Sequence, residues 1–209
     1  MMKQKFFAGL FSILSVGALS AQEQEPEQEK KLYLKGNALL IPIGVINIAA
    51  EKQLSEKYTL QGDILVSPWK SFAGHEFQYY SVSIEGRYYF NKAFNHWYVG
   101  ANLAASAFNL QKWNYWKEAP YVNDRGEIYN KANLYQKGYS LIIGVTGGYQ
   151  FQLSDRWNMD IYAGIGTSQD FYKGYDRESG KRYDMAQKYN KSGEILPYRG
   201  GIMISYQIK

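Results

Sequence analysis

Apolar and polar residues alternate at period two along most of this chain. In residues 156–171, for example, apolar residues such as Trp157 and Ile161 alternate with polar residues such as Asn158 and Asp160. A period of two is that of a β-strand, whereas an amphipathic helix repeats every ~3.6 residues. The pattern predicts eight strands, at residues 32–41, 43–54, 57–67, 77–90, 95–110, 138–153, 156–171 and 195–208.

The predicted connections differ in length at the two ends of these strands. Residues 55–56, 91–94 and 154–155 read as tight turns, while 68–76, 111–137 and 172–194 read as long polar loops; the first hairpin, near 41–42, is short. An even number of strands with short turns at one end and long loops at the other is typical of membrane barrels. The sequence therefore predicts an all-β fold over residues 32–209, an eight-stranded antiparallel up-and-down transmembrane β-barrel with short periplasmic turns and longer extracellular loops.

The N-terminal residues have the features of an export signal. Two lysines precede an apolar run over residues 6–19, and small residues follow it. This pattern predicts a signal peptide over residues 1–21 that is cleaved before Gln22. Residues 22–31 are polar and acidic, and we expect a disordered leader there. Together with the strand pattern, the signal predicts a location in the outer membrane of a Gram-negative cell.

Aromatic residues make up 17% of the chain and fall near both ends of the apolar face. Two aromatic belts around an aliphatic middle are typical of a lipid-facing surface. The belts are Tyr58, Phe90, Trp97, Phe151, Trp157 and Tyr206 at one end, and Trp69, Tyr80, Tyr139 and Tyr198 at the other. Alternation alone also fits a soluble lipocalin-like carrier, whose apolar face lies inside around a small apolar ligand. Purification without detergent would support that alternative.

If the apolar face contacts lipid, the polar face lines a narrow lumen. Eight strands enclose a space just wide enough to be filled by their own side chains, and buried charges must be paired. We therefore predict an internal ion-pair network rather than a conducting pore. Asp63 is the expected partner of Arg87, because neighbours on adjacent strands approach closely. The predicted network comprises Lys35, Glu51, Asp63, Glu85, Arg87, Asp160 and Arg199.

Charge and residue content exclude several functional classes. The formal charge of +5 falls by two if Lys3 and Lys5 leave with the signal peptide, and no basic stripe supports nucleic-acid binding. The absence of cysteine excludes a disulfide-stabilised scaffold. The two histidines, His75 and His96, are too far apart in sequence to indicate a metal site, and we expect no cofactor.

His75 is the one residue that favours catalysis. It lies beside Glu76 and near Ser71, and a serine nucleophile needs a base within hydrogen-bond reach. An outer-leaflet lipid A-modifying hydrolase that uses His75 is therefore an alternative. The chain has no His-x-Ser motif of the lipid A deacylase kind, so no catalysis is expected.

The two longest predicted loops, 111–137 and 172–194, are the candidate functional regions. Aromatic rings stack on sugars, and lysine and arginine bind phosphate groups. We expect a structural or surface-interaction role: envelope integrity, adhesion, or contact with glycan or lipopolysaccharide. Outer-membrane lipid and lipopolysaccharide are the expected partners, an extracellular glycan or protein is a further candidate, and a monomer is expected. The ligand-contact candidates are Trp113, Trp116, Tyr121, Tyr175 and Arg182.

Several stretches resemble a family of short outer-membrane barrels whose function is not characterised. The matching segments are 35–40 (KGNALL), 55–60 (SEKYTL), 67–69 (SPW), 85–90 (EGRYYF) and 153–160 (LSDRWNMD). The resemblance implies an eight-stranded barrel related in shape to the OmpA and OmpX types, and it assigns no catalytic residue. The chain departs from the usual barrel-assembly signal at Lys209, where a terminal aromatic residue is expected.

Overall fold

The computed structural model describes residues 30–186 and 188–209. The predicted signal peptide, and the predicted leader up to residue 29, lie outside the described residues. No helix in the described part of the chain is long and apolar enough to span a membrane. The strands are β1 (Leu32–Asn37), β2 (Ile46–Gln53), β3 (Tyr58–Phe72), β4 (His75–Tyr89), β5 (His96–Leu110), β6 (Pro120–Val122), β7 (Ile128–Asn130), β8 (Leu134–Gln152), β9 (Trp157–Asp176) and β10 (Asn190–Gln207).

Eight of these strands form one antiparallel ring in the order β1-β10-β9-β8-β5-β4-β3-β2. The ring closes between β1 and β10, from the pair Tyr33–Gln207 to the pair Asn37–Met203. β6 and β7 form a separate two-stranded hairpin. The prediction of an all-β, eight-stranded antiparallel arrangement is therefore confirmed.

The connections lie at two ends of the ring. One end, called here the short-turn end, carries the turns 54–57, 90–95 and 153–156. The other, called the loop end, carries the connections 38–45, 73–74, 111–133 and 177–189. The predicted loops 111–137 and 172–194 are thus shorter than expected, because β8, β9 and β10 extend toward the loop end.

The predicted long loop at 68–76 is wrong. β3 continues to Phe72 and β4 begins at His75, so only Ala73 and Gly74 form the turn. Both residues have positive φ, at 50° and 86°, and this geometry matches the twist of paired strands in a two-residue hairpin. Alanine is not a usual residue in such a turn, so the local sequence carried no signal for it.

The predicted short hairpin near 41–42 is also wrong. β1 ends at Asn37, and a 3-10 turn at Ile41–Ile43 lies in the connection that leads to β2. Trp69 covers this turn, because its indole nitrogen donates to the carbonyl of Ile43 at 2.9 Å. Gly44 follows with φ 69°, and a Cβ there would lie 2.6 Å from the Trp69 ring. The close ring contact therefore requires glycine at this position.

Polar side chains point into the ring and large apolar side chains point out of it. Arg87, Glu51 and Glu85 are fully buried inside, whereas Val82 and Leu103 on the outer wall are each 56% exposed. A water-soluble protein buries its apolar residues and rarely buries charges. The distribution of polarity in this ring is the reverse of a soluble core.

Aromatic residues close the interior at the short-turn end. Phe94, in the turn between β4 and β5, packs on Tyr33 with ring centroids 4.5 Å apart. Tyr89 and Tyr98 pack on each other at 5.1 Å in the next layer. These four rings and the fully buried Met203, called here the aromatic layer, seal this end of the ring.

A bulge in β10 corrects the predicted position of Tyr198. Pro197 pairs with Ile165 and Arg199 pairs with the adjacent residue Gly164, so Tyr198 is the extra residue of the bulged strand. The bulge places both Tyr198 and Arg199 on the inner side. The Tyr198 hydroxyl donates to the side chain of Asn102 inside the ring, so Tyr198 does not belong to the outer aromatic belt.

Gly147 and Gly148, neighbours on β8, allow a test of which face of the strand points into the ring. A Cβ on Gly148 would lie 2.6 Å from the Tyr98 ring, whereas the atom nearest to a Cβ on Gly147 is 4.0 Å away. We expect Gly148→Ala to lower the free energy of unfolding by about 1–3 kcal/mol, because it overpacks the interior. Gly147→Ala is the matched control and should change it little. Urea unfolding measures both, and equal effects would contradict the assignment of faces.

Candidate functional site

Four charged side chains meet at the centre of the interior, although they come from four different strands. Arg87 Nη1 lies 2.8 Å from Asp160 Oδ2 and 3.2 Å from Glu51 Oε2. Lys35 Nζ lies 3.0 Å from the same Asp160 oxygen and also pairs with Glu51. All four side chains have no exposed surface. β1, β2, β4 and β9 are therefore joined across the interior by alternating charges.

Three further ion pairs extend this cluster toward the loop end. Arg87 Nε lies 2.7 Å from Glu85 Oε1, and the other oxygen of Glu85 lies 3.0 Å from Arg199. Arg199 Nη2 lies 2.9 Å from Asp63 Oδ2. The structure thus brings all seven residues of the predicted network into one connected group, called here the ion-pair plug.

The partner predicted for Arg87 is wrong. Thr59, not Asp63, lies opposite Arg87 in the ladder between β3 and β4, and Asp63 lies opposite Ser83. Asp63 instead pairs with Arg199, which the β10 bulge turns inward. The register of the ladder separates Arg87 from Asp63 along the strand, and ring closure supplies carboxylates from more distant strands.

Hydroxyl groups complete the plug, and the sequence analysis did not identify them. Tyr89 donates to Glu51 at 2.8 Å, Tyr98 donates to Asp160 at 2.9 Å, and Thr146 donates to Glu85 at 2.7 Å. The guanidinium of Arg87 also lies 4.4 Å from the centre of the Tyr98 ring. These residues occupy inward-facing positions of their strands. The alternation of inward and outward positions was the only feature of the sequence that could have indicated them.

A chamber of about 210 Å³, lined by both polar and apolar side chains, lies on the loop-end side of the plug. Ligand pockets for drug-sized molecules usually measure roughly 300–1,000 Å³, so this chamber suits water, ions or very small ligands. Its polar lining includes Asn47, Asp63, Ser81, Ser83, Tyr162 and Arg199.

The connections 111–133 and 177–189 pack on each other and are called here the loop cap. Arg177 N donates to Asn133 O at 2.8 Å, and the Asn133 amide donates to Glu178 at 3.1 Å. The Arg177 guanidinium also pairs with Glu76 on β4. These contacts join both connections to the rim of the ring.

Tyr183 and Asp184 anchor the second connection of the cap. Tyr183 is only 4% exposed, and burial raises the pKa of its hydroxyl. Asp184 accepts from the backbone N–H of Gly174 at 2.5 Å and pairs with Arg182. Burial alone would raise the pKa of Asp184, but these donors hold the pKa of its carboxyl below the usual value. The carboxylate is therefore ionised at neutral pH and fixes residues 182–186.

The five ligand-contact candidates all lie in or beside the loop cap, but they differ in accessibility. Trp113 is 83% exposed, while Trp116 stacks on His75 at 4.3 Å. The other three are held by neighbours: Tyr121 packs edge-on to Tyr183 at 5.3 Å, Tyr175 stacks on Tyr135 at 5.8 Å, and Arg182 pairs with Asp184. Trp113 is therefore the candidate most available for contact with a partner.

The structure places His75 beside Gln111 and Trp116. Its Nδ1 lies 2.9 Å from the side-chain oxygen of Gln111, and its ring stacks on Trp116. The neighbouring Glu76 pairs with Arg177. None of the hydrogen bonds of His75 to other described residues involves a serine hydroxyl.

Removing Arg87 tests the energetic role of the plug. We expect Arg87→Met to lower the free energy of unfolding by about 3–5 kcal/mol, because it leaves buried carboxylates without their counter-charge. Adding Asp160→Asn should recover part of this loss, since Lys35 and Glu51 then remain as a matched pair. Arg177→Met at the exposed pair with Glu76 is the control, with an expected cost of about 0–1 kcal/mol. Equal losses for Arg87→Met and Arg177→Met in urea unfolding would contradict the role of the plug.

Comparison with known proteins identifies a family but no characterised relative. A family model described as "Protein of unknown function (DUF3575)" matches residues 10–208. No curated protein and no solved structure matches the chain. Membership of a family of unknown function is thus confirmed, while the outer-membrane location and the relation in shape to OmpA and OmpX stay predictions. Because the match covers nearly the whole sequence, the chain belongs to the DUF3575 family of proteins of unknown function.

Proposed function

We propose that this protein is an outer-membrane β-barrel that is closed internally by the ion-pair plug and presents its loop cap to glycan or lipopolysaccharide at the cell surface. The observation that carries the proposal is the reversed polarity of the ring. Charged side chains such as Arg87 and Glu51 are buried inside, and apolar side chains cover the outer wall. In water such a wall would be unfavourable, whereas lipid tails would cover it.

Strand length and aromatic position support a membrane location. β4 and β5 each have 15 residues, more than the ~9–11 that a tilted strand needs to cross a bilayer. Exposed aromatic side chains lie toward both ends of the outer wall, as interfacial belts do. They include Tyr58, Phe90, Trp97 and Trp157 toward the short-turn end, and Trp69, Tyr80 and Tyr139 toward the loop end.

The plug and the aromatic layer support a structural role rather than conduction. Together they fill the interior at its centre and at the short-turn end. Membrane barrels with wide aqueous channels have about twice as many strands. The export signal predicted over residues 1–21 is consistent with delivery to the outer membrane.

The two alternatives are less favoured. A carrier of a small apolar ligand needs an apolar interior, and the interior here holds ion pairs and a chamber of about 210 Å³, which is small for such a ligand. A hydrolase that uses His75 needs a nucleophile beside it, and His75 instead contacts Gln111 and Trp116.

The loop cap supports a contact function because it leaves large apolar side chains in solvent. Trp113 is 83% exposed, Ile128 is 73% exposed and Val122 is 60% exposed. Exposed aromatic side chains with nearby cations suit contact with sugars and their phosphate groups. Lys112 directly precedes Trp113 and supplies such a cation.

A matched pair of valines tests the membrane location. Val82, at the middle of β4 on the outer wall, is 56% exposed, and Val122 in the loop cap is 60% exposed. If the wall faces lipid, Val82→Arg should lower the free energy of unfolding in lipid by about 2–4 kcal/mol, because it places a charge near the bilayer midplane. Val122→Arg should have little effect, since its side chain stays in water.

Equal and small effects at both valines would contradict a lipid-facing wall. The wild-type protein provides the parallel control for location. It should be found in the outer-membrane fraction and should migrate differently on a denaturing gel before and after boiling. A protein that fractionates with soluble material would contradict the proposal directly.

Replacing the exposed tryptophan tests the contact surface. We expect purified lipopolysaccharide to change the tryptophan fluorescence of the wild type, and Trp113→Phe to weaken that binding about tenfold, as expected for an aromatic anchor. Trp97→Phe, at a tryptophan on the outer wall that is 62% exposed, is the control and should leave binding unchanged. If neither lipopolysaccharide nor surface glycan changes the fluorescence spectrum, the contact function is contradicted and only the structural role remains.

A further inference from the structure

Five oxygen-bearing side chains form one row across the interior on the loop-end side of the plug. In the ladders, Ser81 lies opposite Ser106, Ser106 opposite Ser140, Ser140 opposite Asp170, and Asp170 opposite Ser192. The row crosses β4, β5, β8, β9 and β10. Residues directly opposite each other on one face have Cβ atoms roughly 4.5–5.5 Å apart. The row therefore concentrates hydroxyl groups around a single carboxylate.

The carboxylate of Asp170 accepts only from hydroxyl groups. Ser168 donates to Oδ1 at 2.5 Å, Ser140 donates to the same oxygen, and Ser192 donates to Oδ2 at 3.1 Å. A serine oxygen that donates its proton to a carboxylate keeps its lone pairs free to contact a cation. Ser106, only 7% exposed and directly opposite Ser140, has a hydroxyl oxygen with no hydrogen-bond partner. That oxygen belongs to the residue next to Ser140 in the row.

Asp170 also lacks a counter-charge in the described part of the chain. It forms no ion pair with any lysine, arginine or histidine in residues 30–186 and 188–209. The plug itself already contains one more carboxylate than cations, namely Glu51, Asp63, Glu85 and Asp160 against Lys35, Arg87 and Arg199. Asp170 is half-buried, and a half-buried carboxylate beside an interior with excess negative charge favours a bound positive charge.

The row ends at Ser192, on a part of β10 whose ladder partners in the described chain all lie on one side. β1 ends at Asn37, and every ladder partner described for residues 190–200 of β10 lies on β9. Pro197 lies in this stretch, and its missing N–H suits a strand edge without a further partner. The chamber is lined by Arg199 and Gly200 of this stretch and by Ser81 of the row.

We propose that Asp170 and the surrounding serine hydroxyls bind one monovalent alkali cation, Na⁺ or K⁺. Carboxylate and hydroxyl oxygens are hard ligands, which suit alkali and alkaline-earth ions rather than transition metals. One carboxylate matches a single positive charge, whereas Ca²⁺ sites usually collect several acidic ligands. Consistently, the described residues contain no group of three or more His, Cys, Asp or Glu side chains placed to hold a metal.

The bound cation joins β8, β9 and β10 where the ring is not closed by β1. It contacts oxygens from all three strands and offsets the excess negative charge of the interior. Because a ligand that binds only the folded state stabilises it by mass action, stability should rise with the concentration of the cation.

Thermal unfolding of the purified full-length protein tests the site. We expect the Tm to rise with NaCl or KCl relative to N-methylglucamine chloride at equal ionic strength. Asp170→Asn should abolish this difference, and Asp155→Asn, at an exposed carboxylate in the turn between β8 and β9, should retain it. Because the Ser106 hydroxyl makes no hydrogen bond of standard geometry with the other described residues, Ser106→Ala should leave the Tm in N-methylglucamine unchanged. It should nevertheless raise the alkali concentration for half-maximal stabilisation by about tenfold.

Two results would overturn the proposal. One is an equal Tm for the wild type in alkali and N-methylglucamine salts. The other is an alkali-dependent shift that persists in both Asp170→Asn and Ser106→Ala. Broadening of the ²³Na resonance by the wild type, reversed by K⁺ and lost in Ser106→Ala, provides a direct measure of binding. This readout keeps the test decisive if Asp170→Asn fails to fold.

Discussion

The pairing of charges inside a narrow ring is the constraint on which the rest of this structure depends. Arg87 has no exposed surface and lies between the carboxylates of Glu51, Glu85 and Asp160. A buried charge is tolerated only when opposite charges and hydrogen bonds surround it. The eight strands therefore have to meet in one register, because a shift of one residue would turn these side chains to the outer wall.

Because of this constraint, the centre of the ring leaves little space for a ligand. The ion-pair plug and the aromatic layer occupy the interior, and the chamber that remains measures about 210 Å³. Large partners can meet the protein only at its outer wall or its loop cap. The proposed contact function therefore depends on the loop cap, whereas the proposed alkali-cation site uses the small space left inside.

Much of the fold could be predicted from the local pattern of apolar and polar residues. Period-two alternation identified eight strands, and strand parity selected the seven charged residues that the structure brings together inside. Local pattern did not reveal the Ala73–Gly74 turn or the bulge at Tyr198. Both features depend on backbone geometry that the residue types at these positions do not specify by themselves.

The sequence by itself determined which side chains share a face of each strand, because a regular strand alternates its two faces whatever its neighbours are. It also determined the family, through segments matched along nearly the whole chain. Only the tertiary structure decided which inward residues meet. Arg87 meets Asp160, which is 73 residues away in sequence, and Ser106 lies opposite Ser140 beside Asp170. Such contacts depend on register and ring closure, which are set by all eight strands together and not by any one of them.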